Sequence, residues 1–130
     1  AKALEEILSG DASLKNCMCE FHLEFLYGDT SVKGTALHFA AYTGSVQIVK
    51  ALLANDFRAD ATTSSDAEVP PLRQATPLSF AAIGNRAEVV KQLLLLKQVD
   101  VNAPAEGGWT ALVGAAAMGS FEVVELLLQT

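Results

Sequence analysis

Basic residues are scarce in this 130-residue chain: nine Lys and Arg stand against fifteen Asp and Glu, giving a net charge of −6 and a pI near 4.7. That sign is wrong for neutralising phosphates, which sets nucleic acid aside as a partner. Long apolar runs are missing too. The longest, such as Leu93–Leu96, Ala111–Val113 and Ala115–Met118, fall far short of the roughly 20 residues of a membrane span, and the acidic opening Leu4-Glu5-Glu6 is unlike a signal peptide. No membrane insertion is expected. Cysteine is limited to Cys17 and Cys19, one residue apart, where an internal disulfide is geometrically awkward. A reducing compartment, cytoplasmic or nuclear, is the simplest inference. Charged residues make up only 18% against 51% hydrophobic, with mean hydropathy +0.30, which excludes global disorder. At this length one domain buries enough surface to fold with no metal or cofactor.

What the chain does have is a repeat. Thr35-Ala36-Leu37-His38-Phe39-Ala40-Ala41-Tyr42-Thr43-Gly44 aligns with the ten residues from Thr76-Pro77-Leu78-Ser79 to Asn85, and with Thr110-Ala111-Leu112-Val113 through Gly119. Apolar pairs follow at matching offsets: Ile48-Val49 with Leu52-Leu53, Val89-Val90 with Leu93-Leu94, and Val123-Val124 with Leu127-Leu128. Those offsets lie on one stripe of a helix, so each unit reads as helix, tight turn, helix, with the stripe against a neighbour. Threonine suits the N-cap, and Pro77 sits at the first helical position, where its missing N–H costs nothing. Paired alanines at 40–41, 81–82 and 115–116 allow close helix approach. Gly44, Asn85 and Gly119 share the tenth position, which calls for a left-handed backbone.

The pattern resembles the ankyrin repeat, with its period of about 33 residues and its Thr-Pro-Leu-His signature. The segment Asp100-Val101-Asn102-Ala103, with Gly108 two before Thr110, is similar to the family's link between units. The resemblance implies an all-α repeat fold, an ankyrin-type solenoid of helix-turn-helix units with β-hairpin fingers, forming a single domain over 1–130. Its expected parts are a divergent first unit (1–28), a repeat (30–61), an insertion or long finger (62–75), a repeat (76–103) and an incomplete last repeat (104–130). The insertion is rich in Ser, Thr, Pro and charge and has no regular period, so it reads as an enlarged hairpin or a mobile loop. Leu4, Ile7 and Leu8 before Ser9-Gly10 read as a second helix with its exit turn. Residues 14–28 carry an apolar and aromatic set without an assignable order.

Candidate chemistry is thin. Cys17, Met18, Cys19 and His22 offer soft ligands, but no second cysteine pair completes a structural zinc site, and they read as ordinary thiols. His38 invites a role as catalytic base, yet it stands at the fourth position of the signature, where the family histidine bonds the neighbouring turn. No carboxylate pair shares an apolar helix face, and Gly107-Gly108 stands alone at a hairpin tip rather than in a phosphate loop. The expectation is a non-catalytic protein–protein interaction module. Its alternative is a regulatory or substrate-recruiting segment of a larger multidomain enzyme whose catalytic domain lies outside this chain. A mere spacer would leave unremarkable finger residues, which Trp109 contradicts.

In the family the variable, partner-facing positions precede the signature threonine and the helix-ending glycine. Here those are Gly34, Ala75 and Trp109, with Tyr42-Thr43, Ile83-Gly84 and Ala117-Met118. The implied contact set is Trp109, Tyr42, Thr43, Ile83 and Met118, with Arg73 reaching in from the insertion. Negative surroundings favour a protein or peptide of basic character. Asn102 is a possible hydroxylation site by the same resemblance, although such an asparagine mainly ties its turn. The last unit's apolar residues, ending at Thr130, suggest self-association or further repeats at that end.

Overall fold

The computed structural model describes residues 19–24, 29–55, 57–64, 72–97 and 99–130. Three helix pairs carry the fold: α1 (Ala36–Thr43) with α2 (Val46–Ala54), α3 (Pro77–Ile83) with α4 (Ala87–Leu94), and α5 (Ala111–Ala117) with α6 (Phe121–Leu128). First helices stack on first helices, α1 on α3 on α5, while the second helices form a parallel row, α2 on α4 on α6. Thr35, Thr76 and Thr110 all hold the extended backbone that starts a helix. Thr76 and Thr110 cap it conventionally, their hydroxyls accepting Ser79 N–H and Val113 N–H at 3.3 Å. Each first helix ends at the tenth position in left-handed backbone, with φ +84 at Gly44, +57 at Asn85 and +71 at Gly119. That geometry turns the chain back within two residues, so both helices of a unit lie side by side.

Close approach is what the alanines supply. Ala41, Ala81, Ala82 and Ala115 are fully buried between stacked first helices, and Leu37, Leu52, Leu78, Phe80, Val89, Val90, Leu93 and Val123 fill the layer between the rows. Gly114 belongs to the same device. A Cβ there would stand 3.2 Å from Ile83 Cγ1, so the bare backbone of α5 receives the side chain of α3.

Beside the helices runs a row of fingers. β1 (Cys19–Glu24) pairs antiparallel with β2 (Asp29–Gly34), Cys19 opposite Gly34 and Glu24 opposite Asp29. This gives part of the unassigned 14–28 segment a definite place. Cys19–Glu24 alternates apolar and polar residues, the strand period that the surrounding aromatic residues obscured. The predicted helix around Leu4–Leu8, together with Cys17 and Met18, lies outside the described residues, as do 65–71 of the insertion. The described ends of the insertion are anchored. Ser64 N–H donates to Lys33 O at 3.0 Å, Thr63 N–H to Ala75 O at 2.9 Å, and the buried Thr63 hydroxyl to Leu72 O at 2.6 Å while accepting Ala75 N–H at 2.9 Å. Leu72 is fully buried. The insertion thus contributes one core side chain and one polar clasp. A 3-10 turn at Glu106–Gly108 forms the third finger, closed by Ala105 N–H to Trp109 O at 2.7 Å. Glu106 N–H donates to Arg73 O at 3.0 Å, so β2, the insertion ends and the third finger are joined laterally.

Candidate functional site

His38 is the most constrained polar side chain among those described. Its Nδ1 lies 3.0 Å from Thr35 N and 2.9 Å from Thr35 Oγ1, and its Nε2 lies 3.0 Å from both Ala61 O and Ala75 O. Because Nδ1 accepts Thr35 N–H, the ring proton sits on Nε2 and is shared by the two carbonyls. The Phe80 ring meets the imidazole edge-on, with centroids 5.5 Å apart. Burial pushes the His38 pKa down to about 4, against the opposing pull of the Ala75 and Ala61 carbonyls. A neutral, enclosed ring with both nitrogens committed has no access to substrate. Its work is to pin the two ends of the insertion to the start of α1.

The expected contact residues divide. Thr43 and Met118 are exposed and Tyr42 half-buried, at equivalent exits of α1 and α5, on the same side of the stack. Trp109 is half-buried, its ring packed against the core beside the finger it ends. Ile83 is a correction: at 5% exposure it is a core residue, drawn inward because Gly114 in the next unit leaves it room. The position before the signature threonine is likewise interior in two of the three units. Ala75 is fully buried, and a Cβ at Gly34 would stand 3.1 Å from Thr63 Cγ2. Arg73 does not extend into a groove. Its guanidinium holds Glu106 at 3.1 Å and joins insertion to third finger. The turn at Asp100-Val101-Asn102 is closed by Asp100, whose carboxylate accepts Asn102 N–H at 2.9 Å, while Asn102 itself is exposed. Sequence reasoning missed Thr63 and Leu72, which no periodicity marks, and the cross-repeat bond from Arg86 Nε to Tyr42 O at 3.0 Å.

Among the described residues no group of three or more His, Cys, Asp or Glu could hold a metal ion, and no helix is long and apolar enough to cross a membrane. Stacked helix hairpins with laterally joined fingers define a solenoid repeat protein, mostly helical. The family model described as ankyrin repeats matches residues 11–103 and again 59–130, so the chain belongs to the ankyrin-repeat family. A relative in the human proteome, transient receptor potential cation channel subfamily A member 1, is 29% identical over 107 residues, which cover 82% of this chain and 9% of that protein. The chain therefore spans under a tenth of the length of that relative.

Proposed function

We propose that this array is a non-catalytic interaction module that binds a peptide or protein segment of basic character along the exits of its first helices and its third finger. The observation that carries this reading is the placement of Tyr42, Thr43 and Met118 at equivalent ends of stacked helices, with Trp109 on the adjoining finger. An aromatic and a flexible apolar group on one rigid face are the composition of an interface anchor, and the net charge of −6 steers basic segments toward it. Ankyrin repeats as a family mediate protein–protein contacts. The partner's basic character, and the reducing intracellular compartment that two closely spaced cysteines suit, are parts of the proposal.

A second reading has one observation in its favour. The human channel is far longer than the stretch matched here, so the array also fits a segment that recruits or regulates another part of a larger protein. Affinity capture from the source cells, with captured proteins identified and their affinities then measured, tests the surface itself. Trp109→Ala with Tyr42→Ala should weaken the specific partner by about tenfold or more. A folded double variant that retains every partner at full affinity would remove this face as the site.

A further inference from the structure

The exits of the first helices carry almost no charge. Tyr42-Thr43-Gly44-Ser45, Ile83-Gly84-Asn85-Arg86 and Ala117-Met118-Gly119-Ser120 stand at equivalent positions, and Arg86 is the one charged residue in the set. At the middle exit it also stands in for side chains that are missing. Ile83 is turned into the core, and Gly84 has to be bare, because a Cβ there would stand 2.5 Å from Tyr42 O. The Arg86 stem fills the space they leave. Its Cγ lies 3.3 Å from where a Gly84 Cβ would be and its Cδ 2.5 Å from where a Gly44 Cβ would be, so it crosses from the second unit to the first, where Nε donates to Tyr42 O at 3.0 Å. An exposed arginine ordinarily gives up rotamer freedom when it takes a ligand. Here the fold has already fixed the stem.

Only one donor of the head is spent. The bond to Tyr42 O uses Nε and satisfies a carbonyl in the last turn of α1, while the two terminal nitrogens make no hydrogen bond to a described residue and the side chain is exposed. The ion pairs among the described residues engage Arg58, Arg73 and Lys91, and Glu88, two residues on from Arg86, is held by Lys91 at 3.1 Å. Arg86 belongs to the middle unit, with the first and third stacked on either side, so its exposure owes nothing to an unstacked end. We propose that Arg86 is the specificity-determining residue of this surface, and that it receives the carboxylate of one Asp or Glu side chain of the partner segment, end-on across its two terminal nitrogens, beside Tyr42 and Thr43. The inference rests on the reading of the helix exits as the contact face and refines the charge of the partner. The net charge of −6 steers a segment rich in Lys and Arg from a distance, whereas inside a Debye length of about 8 Å the fixed guanidinium decides what sits against it. A phosphoryl group fits less well, since its nearly doubled charge calls for a second cation, which the exit turns lack. A lysine could not hold Tyr42 O and still offer a fork.

The test selects a random peptide display library on the chain and titrates the enriched peptides calorimetrically against the chain, its Arg86→Gln variant and its Tyr42→Ala plus Trp109→Ala variant. Enriched peptides should share one Asp or Glu at a fixed place in a basic background. Replacing that residue by its amide should weaken binding to the chain about fivefold and leave binding to Arg86→Gln unchanged. Arg86→Met, which keeps a stem over Gly84 without the head, repeats the comparison if glutamine unsettles the turn. Equal losses in the chain and in both variants would show that Arg86 only caps α1 and would overturn the proposal. So would a phosphoserine peptide binding about tenfold tighter than its carboxylate counterpart. Peptides that need Tyr42 and Trp109 but share no carboxylate would overturn this inference and leave the contact face standing. A selection in which no peptide depends on Tyr42 and Trp109 would remove the face, and the role of Arg86 with it.

Discussion

His38 should make the stability of the array fall on mild acidification, by an amount that one substitution can isolate. Its pKa is lowered from 6.5 to about 4 by burial. As pH falls below 6.5 the unfolded chain takes up a proton on this ring that the folded chain refuses until about pH 4, so stability is full above 6.5 and drains away between the two values. At about 1.4 kcal/mol per pH unit the whole loss is about 3 kcal/mol, of which about 2 kcal/mol falls between pH 7 and pH 5. Urea unfolding followed by the fluorescence of the single tryptophan, Trp109, measures it. His38→Gln keeps an N–H donor for the carbonyls but cannot titrate. It should cost about 1–3 kcal/mol at pH 7 through imperfect bonding to Ala61 O and Ala75 O, yet lose about 2 kcal/mol less than the native chain on going to pH 5. The carboxylates and His22 are common to both proteins and cancel in the difference. Equal losses in the two proteins would refute a neutral, desolvated His38.

Gly44→Ala and Gly119→Ala both force a side chain into left-handed backbone at about 1 kcal/mol. Only the first also displaces Arg86 from Tyr42 O, so thermal unfolding should show a clearly larger drop for Gly44→Ala, and the excess should vanish in an Arg86→Ala background. Equal drops would mean the Arg86 contact carries no energy. Thr63→Val keeps the shape but strips the hydroxyl shared by Leu72 O and Ala75 N. It should cost about 1–3 kcal/mol, as two buried backbone groups lose their partner, and an unchanged denaturation midpoint would show the clasp to be dispensable.

The register of the three units was readable because its determinants are local: a threonine that begins a helix, a residue that tolerates positive φ ten positions on, and an apolar stripe between. Where the structure departs from the local pattern, the determinant lies in another unit. Ile83 sits at a position that is half-exposed in the first unit, and only Gly114, 31 residues later, makes the space that buries it. Thr63 and Leu72 are single buried residues in an aperiodic stretch, so no pattern announces them. Arg73 is engaged by Glu106, a partner 33 residues away in sequence that only the stacking of the third finger brings to it. Surface roles in a solenoid depend on what the next unit presents, and that information is non-local.

The fork of His38 onto Ala61 O and Ala75 O has a further meaning for the chain between them. Closure of 62–74 is enforced at its two ends, by His38 from outside and by the Thr63 and Ser64 bonds and buried Leu72 from within, so the length between those anchors is released from the demands of the fold. Where the ends of a loop are already clamped, each doubling of length adds only about 0.6 kcal/mol of closure entropy. Foreign sequence spliced between Ser64 and Leu72 would therefore be carried at the flank of the helix stack at small energetic cost. That makes this stretch a natural place for lineages, or engineers, to write new recognition without disturbing the scaffold.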